Sequence, residues 1–566
     1  MLPAGATLLG VVLSSDKTNI SVMSSNHMAH LVLISLTNID AHLHSKSSLH
    51  AYLLLALLPI TKFMHKTTQV RSLLQDQLVH QALNIVLAPL KTATSVGIMM
   101  SDPRGNLCYC FMPLVVWVAD MPEESLLAGT GPKASPVTTA TAKEFCDAYH
   151  HPPRTAENTI TTIRTVCSQH SPMDYKDFLK AIKQFHLNGI VELCWMGWAL
   201  SDPSFFLNPE VLHHFHWMFW DHDVQWCITV MGAAELDFRF SLIQTLIGYR
   251  SFSEGILKLK QVTGRDHHAV QHYIIATVAG SVPCQFLIAI HVLLNLRYLA
   301  QAPSFTTQSL KRIASALQEF HDNKEAIVHQ GARANWQIPK FKLLQSVVPS
   351  IHQLGAVMQW SADVTQHAQI EEIKVPARSG NNQSYYSQIA RHLDWLDKCF
   401  RFDLATYIEQ CAMDQVNNDD GDSSGSDSDE QHEPDADNID LSEYSTPTHQ
   451  FPDYFFIFTS LLLGAKPSAP KPYWAFAMSM TSFHLATKPL LRLSVDEAAT
   501  AYQLPDLEDA IIAFANRDVC FQGHSGIQKL QIWHKVCLQQ LSYHGNIPLL
   551  PQTLLAIPPS TTDPYG

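Results

Sequence analysis

Two aspartates that follow predicted strands are the residues best placed to do chemistry. Asp16 comes after the apolar residues 6–13, and Asp120 comes after the apolar residues 113–118. If these strands are neighbours in one sheet, both carboxylates emerge at the same edge, where oxygen ligands can hold divalent cations for phosphoryl transfer. A third acid would come from a helix. Because Asp also ends strands through its turn preference, the spacing alone favours a plain turn role.

A second candidate is a histidine-rich stretch in a chain that contains 30 histidines. Glu210, His213, His214 and His216 are followed by an Asp-His-Asp group at 221–223. Imidazoles three or four residues apart on a helix can converge on one zinc ion. The aromatic residues between them favour another interpretation, in which the helix packs into a core and the histidines are its polar neighbours.

Other familiar chemical motifs are absent from the sequence. Cys108 and Cys110 have the wrong spacing for a zinc knuckle, and the glycines at 129 and 131 lack the context and ending of a phosphate loop. The eleven cysteines are scattered, so a disulfide framework is not expected. The chemistry must therefore depend on the carboxylates or the histidines.

The elements that must position these residues change character along the chain. Closely spaced apolar runs at 6–13, 20–23 and 30–36 predict an antiparallel meander, and residues 113–118 predict another strand. Residues 46–94 are typical of helices, and residues 128–160 of a loop. From 172 to 412 the pattern is mainly helical, most clearly at 212–226, 266–278, 308–320 and 385–409.

The negative charge of the chain is concentrated in one segment. The 566 residues carry a formal net charge of −13, which excludes a generally basic nucleic-acid-coating protein. Residues 414–443 contain twelve carboxylates and no Lys or Arg, and taking these twelve charges from −13 leaves −1. With almost no apolar content, residues 414–449 are predicted to be a disordered acidic linker before a compact C-terminal segment.

Targeting signals are not evident in the sequence. The N-terminus lacks a basic region followed by a small-residue cleavage site, so a signal peptide is not predicted. The apolar runs at 52–60 and 286–294 are shorter than the ~18–20 residues that a membrane span needs. We therefore expect an intracellular protein without a membrane partner.

Several short motifs occur in order along the chain. They are Ser15-Asp16-Lys17-Thr18, residues 30–39, Leu87-Ala-Pro-Leu90, Val118-Ala-Asp120-Met-Pro-Glu-Glu124, residues 209–216, residues 235–240, Thr263-Gly264-Arg265-Asp266, and, in the C-terminal segment, Phe483-His484-Leu485 and Leu504-Pro505-Asp506-Leu507. Together these motifs resemble the Plavaka-type transposases, which are fungal cut-and-paste elements related to the CACTA group. Ordered matches over nearly the whole chain are more specific than any single motif.

This resemblance implies a fold, an activity and a set of site residues. The fold would be α/β, with an RNase-H-like catalytic core, a large and mainly helical extension, and a small C-terminal α/β or α+β domain. Asp16 and Asp120 would be the metal-binding carboxylates of a DDE/D triad that uses Mg²⁺ or Mn²⁺ to cut and join DNA at transposon ends. Either Glu210 or Asp266 would be the third acid. A nuclear or nucleo-cytoplasmic location and self-association would go with that activity.

The departures from the family pattern imply that this chain has lost features that the family's transposases have. The chain begins almost at the first catalytic strand, so it resembles an N-terminally truncated member without the cysteine-rich finger. Residues 131–134, Gly-Pro-Lys-Ala, stand where the family has a Cys-x-x-Cys pair, so the zinc knuckle is expected to be lost. We therefore expect a degenerate enzyme or a non-catalytic relic that binds DNA or protein. The predicted domains are a core at 1–130, a loop or insertion at 131–171, a helical remainder at 172–413, the linker at 414–449 and a C-terminal domain at 450–566.

Overall fold

The structure of the chain is a computed structural model. It describes residues 3–419, 453, 456, 459 and 473–555, apart from residues 4, 21–27, 45, 47–48, 103–105, 244–249, 260–263, 382–383, 479, 518–528 and 543–546. The chain is a mixed α/β protein with small sheets, and about half of it is helical. It divides into two compact units. The first comprises Met1–Phe238 and Ile256–Gly425, and the second comprises Arg239–Gly255 and Ser426–Gly566.

A four-stranded sheet lies at the centre of the first unit. Its two inner strands are buried because apolar residues such as Val11, Leu13 and Leu31 point to both faces. The strand order is β4-β3-β2-β7, in which β3 is antiparallel to both of its neighbours and β7 is parallel to β2. The strands are β2 (Val11–Asn19), β3 (Met28–Leu36), β4 (Leu53–Leu58) and β7 (Leu114–Val118).

Two features of this sheet correct the sequence predictions. The first strand does not stop before Asp16, because β2 continues to Asn19 and Asp16 pairs with Leu31 of β3. Its polar residues stay in the sheet because buried side chains supply hydrogen bonds to Ser15. Residues 53–58 form a strand and not a helix, since β4 pairs with β3 and this pairing overrides the helical preference of leucine. The predicted strand at 113–118 is confirmed, whereas most of the predicted strand at 20–23 lies outside the described residues.

A smaller sheet and several helices complete this half of the first unit. In the smaller sheet β6 lies between β1 and β5. Helices α2 and α3 pack with the four-stranded sheet in one apolar core that contains Leu83, Trp117 and Trp195. These elements are β1 (Thr7–Leu8), β5 (Ile98–Ser101), β6 (Leu107–Phe111), α1 (Ala41–His44), α2 (Thr68–Ser95), α3 (Met121–Ala128), α4 (Ala156–Gln169), α5 (Tyr175–Ile182) and α6 (Pro203–Phe206).

The remainder of the first unit is helical, as predicted for 266–278, 308–320 and 385–409. The predicted helix at 212–226 begins as two π-helical turns, Leu212–Trp217 and Phe219–Val224, which we call the π-helical segment. The last helix runs to Asp419, beyond the predicted start of the linker at 414, and the linker from 420 onwards lies outside the described residues. The helices are α7 (Gln225–Met231), α8 (Ala233–Ser241), α9 (Gly264–Val278), α10 (Cys284–Ala300), α11 (Thr307–Asn323), α12 (Glu325–His329), α13 (Pro339–Leu344), α14 (Val347–Leu354), α15 (Ala362–Gln369), α16 (Val375–Arg378) and α17 (Tyr385–Asp419).

The second unit contains a four-stranded antiparallel sheet of order β13-β12-β9-β8 and a separate antiparallel pair, β10 and β11. A capping box at Ser494, whose hydroxyl accepts from the amide of Glu497, begins the helix after β10. The elements are β8 (Tyr473–Met478), β9 (Thr481–Ala486), β10 (Leu491–Ser494), α18 (Val495–Ala501), α19 (Leu507–Arg517), β11 (Lys529–Ile532), β12 (Lys535–Gln540) and β13 (Gln552–Leu555).

Within the described part of the chain, no helix combines the length and the apolar character needed to cross a bilayer.

Buried His80 ties α2 to two other parts of the core and makes the stability of the first unit depend on pH. Its Nδ1 accepts from the amide of Cys194 at 2.9 Å, so its Nε2–H donates to the carbonyl of Leu126 at 2.9 Å. Burial outweighs that hydrogen bond and lowers the pKa of His80 to about 4. The neutral imidazole therefore contributes stability above the unfolded pKa of about 6.5, and this contribution is lost as the pH falls toward 4.

We expect His80→Gln to weaken the acid dependence of stability. Glutamine keeps a donor and an acceptor without titrating, so the variant should lose about 2 kcal/mol less than the wild type between pH 7.5 and pH 5. Urea-induced unfolding followed by tryptophan fluorescence at both pH values measures this. Equal losses in the two proteins would mean that His80 is not buried in its neutral form.

Candidate active site

The structure places Asp16 of β2 next to Asp120, which lies two residues after the end of the parallel strand β7. Ser14 of β2 pairs with Val118 of β7, and each aspartate lies two residues beyond its member of this pair. Asp120 also caps helix α3, since its Oδ1 accepts from the amide of Glu123 at 2.8 Å. The proximity predicted from the strand ends is therefore present, although Asp16 lies within its strand.

The Asp16 carboxylate is partly buried and has two hydrogen-bond donors. Its Oδ1 accepts from the amide of Lys17 at 2.7 Å, and its Oδ2 accepts from Nε2 of Gln369 at 3.2 Å. Burial raises the pKa of Asp16, and the negative charge of Asp120 raises it further. The two carboxylates thus repel each other, which is the electrostatic situation that a bound cation would relieve.

Glu210 is completely buried before the π-helical segment and accepts hydrogen bonds from several donors. Its Oε2 accepts from the amides of Leu212 at 2.8 Å and Ala362 at 3.1 Å. Its Oε1 accepts from the amide of His213 and lies 2.9 Å from the Nδ1 of the same residue. Burial alone would raise the pKa of Glu210, but His213 and His214 outweigh burial and hold that pKa well below its usual range. Glu210 is therefore an ionised cap for the start of this helical segment.

His213 connects the three carboxylates electrostatically. Burial alone would lower its pKa, but the neighbouring carboxylates outweigh burial and raise the pKa of His213 to about 9. These carboxylates belong to Glu210, Asp120 and Asp16. At neutral pH the cluster therefore contains its own cation, an imidazolium in the place where positive charge is most favourable.

A buried polar network around Ser15 of β2 and Glu123 of α3 fixes helix α3 to the sheet. The Oε1 of Glu123 accepts from the hydroxyl of Ser15 at 2.9 Å and lies 2.8 Å from the Nε2 of His30. The indole of Trp117 in β7 donates to the same hydroxyl at 3.0 Å. Burial would raise the pKa of Glu123, but His30, Lys17 and Ser15 outweigh burial and lower it. Because Glu123 lies in the first turn of α3, this network positions the cap residue Asp120.

Glu124, the next residue of α3, is also buried, but unlike Glu123 it lacks hydrogen-bond partners within the described part of the chain and its pKa is raised. Neither of its oxygens has a hydrogen-bond partner among the described residues, and Oε2 lies 3.9 Å from Nε2 of His214. Burial and the charges of Glu210 and Asp120 raise the pKa of Glu124 well above its usual range. Burial and these neighbouring charges therefore favour the neutral form of Glu124 beside the charged cluster.

Asp266, the other predicted third acid, lies in the first turn of α9. Its neighbour His267 packs against Trp217 at 5.8 Å and Trp220 at 4.8 Å, between ring centroids. These contacts place the turn beside the later part of the π-helical segment, and they do not join it to Asp16 or Asp120. A catalytic role for Asp266 stays a prediction.

The histidines of the π-helical segment are engaged in packing and hydrogen bonds. His213 and His214 contact Glu210, and the Nδ1 of His216 lies 3.2 Å from Oε1 of Gln271. His222 stacks on Trp226 at 6.0 Å. These contacts agree with the interpretation of a packed helix with polar neighbours.

The fit of this cluster to a pair of divalent cations can be judged from its donors. A two-metal site needs carboxylate oxygens that converge on the cations. Here Glu210 is held by three backbone amides and His213, and the amide of Gln369 donates to Asp16. Among the described residues, no three His, Cys, Asp or Glu side chains are arranged to hold one metal ion. As arranged, these residues do not fit a two-metal site.

Comparison with known families assigns this region. Residues 1–227 match the family model described as Plavaka transposase. This region is similar to the Plavaka transposase family. The family resemblance carried by Asp16, Asp120 and the motif around Glu210 is thus confirmed, and all three residues lie within the matched Plavaka region.

A second match covers the end of the chain. Residues 455–566 match a domain of unknown function, DUF6830, consistent with the C-terminal domain expected beside a Plavaka transposase. No curated protein matches the sequence. The Plavaka match ends before α9 and α15, so Asp266 and Gln369 lie between the two matched regions.

Sequence reasoning missed two residues of this site. Gln369 is 353 positions from Asp16, and an uncharged residue on a helix gives no chemical signal by itself. Asp363 of the same helix was also missed; burial and the charge of Glu210 raise the pKa of Asp363. For Glu124, by contrast, the sequence did carry a signal: this residue belongs to the Asp-x-Pro-Glu-Glu motif of the Plavaka region, directly after Glu123.

Proposed function

We propose that the four-stranded sheet and its helices are an RNase-H-like core. The support is topological: three antiparallel strands are followed by a fourth strand that lies parallel to the first of them, and acids follow at adjacent positions. Leu207 adds a parallel bridge to Trp117 of β7, which extends the sheet in the same direction. The order and directions of the strands are those expected for such a core.

We propose that this protein derives from a metal-dependent DDE/D transposase and that its cleavage and strand-transfer chemistry is degenerate. The observation that carries the proposal is the Glu210 carboxylate, which binds three backbone amides and His213 beside Asp16 and Asp120. A carboxylate used in this way supports a helix start and the local charge balance. Mg²⁺ or Mn²⁺ belongs to the ancestral reaction, and the loss of the zinc knuckle at 131–134 is part of the same proposal.

The alternative is a non-catalytic relic that binds DNA or protein, in the nucleus or in both nucleus and cytoplasm. Lys and Arg supply most DNA affinity by neutralising phosphates. Outside the acidic residues 414–443 the chain has a net charge of −1. The near-neutral charge of this part of the chain favours weak DNA binding. Recognition of transposon ends and self-association would therefore both depend on locally charged or apolar surface patches.

A cleavage assay with the full chain tests the proposed loss of catalysis. We expect incubation with supercoiled plasmid, or with a duplex carrying the element's terminal sequence, to give no more nicking or strand transfer in Mg²⁺ or Mn²⁺ than the Asp16→Asn/Asp120→Asn double variant. Circular dichroism verifies that both proteins are folded. Divalent-dependent nicking that disappears in the double variant would overturn the proposal, and salt-dependent anisotropy with the same duplex measures the remaining DNA affinity.

A further inference from the structure

Helix α15 covers the Asp16 side of the candidate site. A small cavity beside Asp16 is lined by Val118 of β7, by Ala119 directly after that strand, and by His213. The other wall of the cavity belongs to α15 and consists of Ala362, Thr365, Gln366 and Gln369. This helix therefore occupies the position from which a further ligand could reach Asp16.

Gln369 is the residue of α15 that contacts Asp16 directly. It is buried, with 3% of its surface exposed, and its Nε2 donates to Oδ2 of Asp16 at 3.2 Å. An amide N–H group directed at a carboxylate oxygen occupies a site where a cation would otherwise bind that oxygen. Glutamine and glutamate have the same shape, so one substitution would change this donor into an acceptor.

Asp363, the acidic residue of α15, does not take this position. It lies in the first turn, and Ser361 donates to its Oδ2 at 3.3 Å. Its electrostatic neighbours are Glu210 and His213, and it is not among the residues that line the cavity beside Asp16.

We infer that Gln369 holds the place of a third metal-ligating acid, so that its side-chain amide, and not a divalent cation, binds the Asp16 carboxylate. This inference rests on the proposed descent from a DDE/D transposase. It places one cause of the loss, besides the engaged Glu210, at a side chain of α15 outside the Plavaka match. It also predicts that a cation site can be regenerated by one substitution.

The test is cation binding by the full-length Gln369→Glu variant. We expect isothermal titration with Mn²⁺ to give at least a tenfold higher affinity than for the wild type, with a matching rise of Tm in Mn²⁺. Gln366→Glu places a carboxylate on the same cavity wall without the contact to Asp16, and it should gain less. Adding Asp16→Asn to Gln369→Glu should abolish the gain.

Several outcomes would overturn the inference. Wild-type Mn²⁺ binding that is as tight as in Gln369→Glu would do so, and so would wild-type binding that is lost in Asp363→Asn. A gain that survives Asp16→Asn would place the new site elsewhere. If the new carboxylate prevents folding by repulsion, Gln369→His supplies a neutral ligand, and a variant that folds but gains no Mn²⁺ affinity counts against the inference. DNA cleavage by the wild type would contradict the proposed function, whereas this test reads metal affinity alone.

Discussion

Breaking the buried ion pair between Asp223 and Arg297 is expected to lower the free energy of unfolding of the first unit by about 3–5 kcal/mol. Asp223 lies in the π-helical segment and Arg297 lies in α10; both side chains are at most 1% exposed, and Oδ2 of Asp223 contacts Nη1 of Arg297. Arg297 also lies over the ring of Phe219, 5.7 Å from its centroid. Asp223→Ala would leave the guanidinium buried without its counter-charge.

Removal of both charges is expected to cost much less than removal of one. Burial raises the pKa of Asp223 in spite of Arg297, which indicates a large desolvation cost. Oδ1 of Asp223 and both Nε and Nη2 of Arg297 have no hydrogen-bond partner among the described residues. An Asp223→Leu/Arg297→Met variant should therefore be close to the wild type in stability, or more stable.

The measurement for this pair is urea-induced unfolding of the wild type, Asp223→Ala and the apolar double variant. Asp394→Ala is the matched control, because it breaks the exposed pair with Lys398, whose side chains are 57% and 64% exposed. That control should cost less than about 1 kcal/mol. If Asp223→Ala cost no more than the control, the buried pair would not be a major tie between α10 and the π-helical segment.

The parts of the fold that the sequence predicts are those whose signal is local. Helices α9, α11 and α17 were expected from helical periodicity, and β7 from a short buried apolar run. Residues 53–58 were expected to be helical because they fall within residues 46–94, where apolar positions recur near the helical spacing. They form a strand because β3 offers an edge, and that information lies in residues 30–34 and not in the segment itself.

The residues of the candidate site also differ in whether a local sequence signal predicts them. The closeness of Asp16 and Asp120 was predicted on the condition that the two apolar strands before them are neighbours, and the parallel pairing of β2 with β7 meets that condition. The π-helical start of the predicted helix at 212–226 has no marker in its residue types, and Glu210 before it accepts from the backbone amide of Ala362, which is distant in sequence. Gln369 could not be predicted, because only the folded chain brings it to Asp16.

Removing the Glu123 carboxylate is the second change with a large expected effect. Glu123→Ala would leave Ser15 and His30 in a buried site without their shared acceptor, and these residues are 2% and 0% exposed. We expect a loss of about 3–5 kcal/mol in the free energy of unfolding, since one partner of a buried charged network is removed. Glu123→Gln keeps the shape and should cost less, about 1–3 kcal/mol.

Glu157→Ala provides the matched control for Glu123→Ala. Both acids lie in the first turn of a helix and interact with its dipole, but Glu157 is exposed, so its loss should cost only about 0.3–1 kcal/mol. Urea-induced unfolding of the three variants measures the difference. Equal costs for Glu123→Ala and Glu157→Ala would mean that the contacts to Ser15 and His30 add nothing to the helix-dipole effect. A large difference would show that the network joining β2, β3 and β7 to α3 stabilises the helix whose first turn is capped by Asp120, since the capped amide belongs to Glu123 itself.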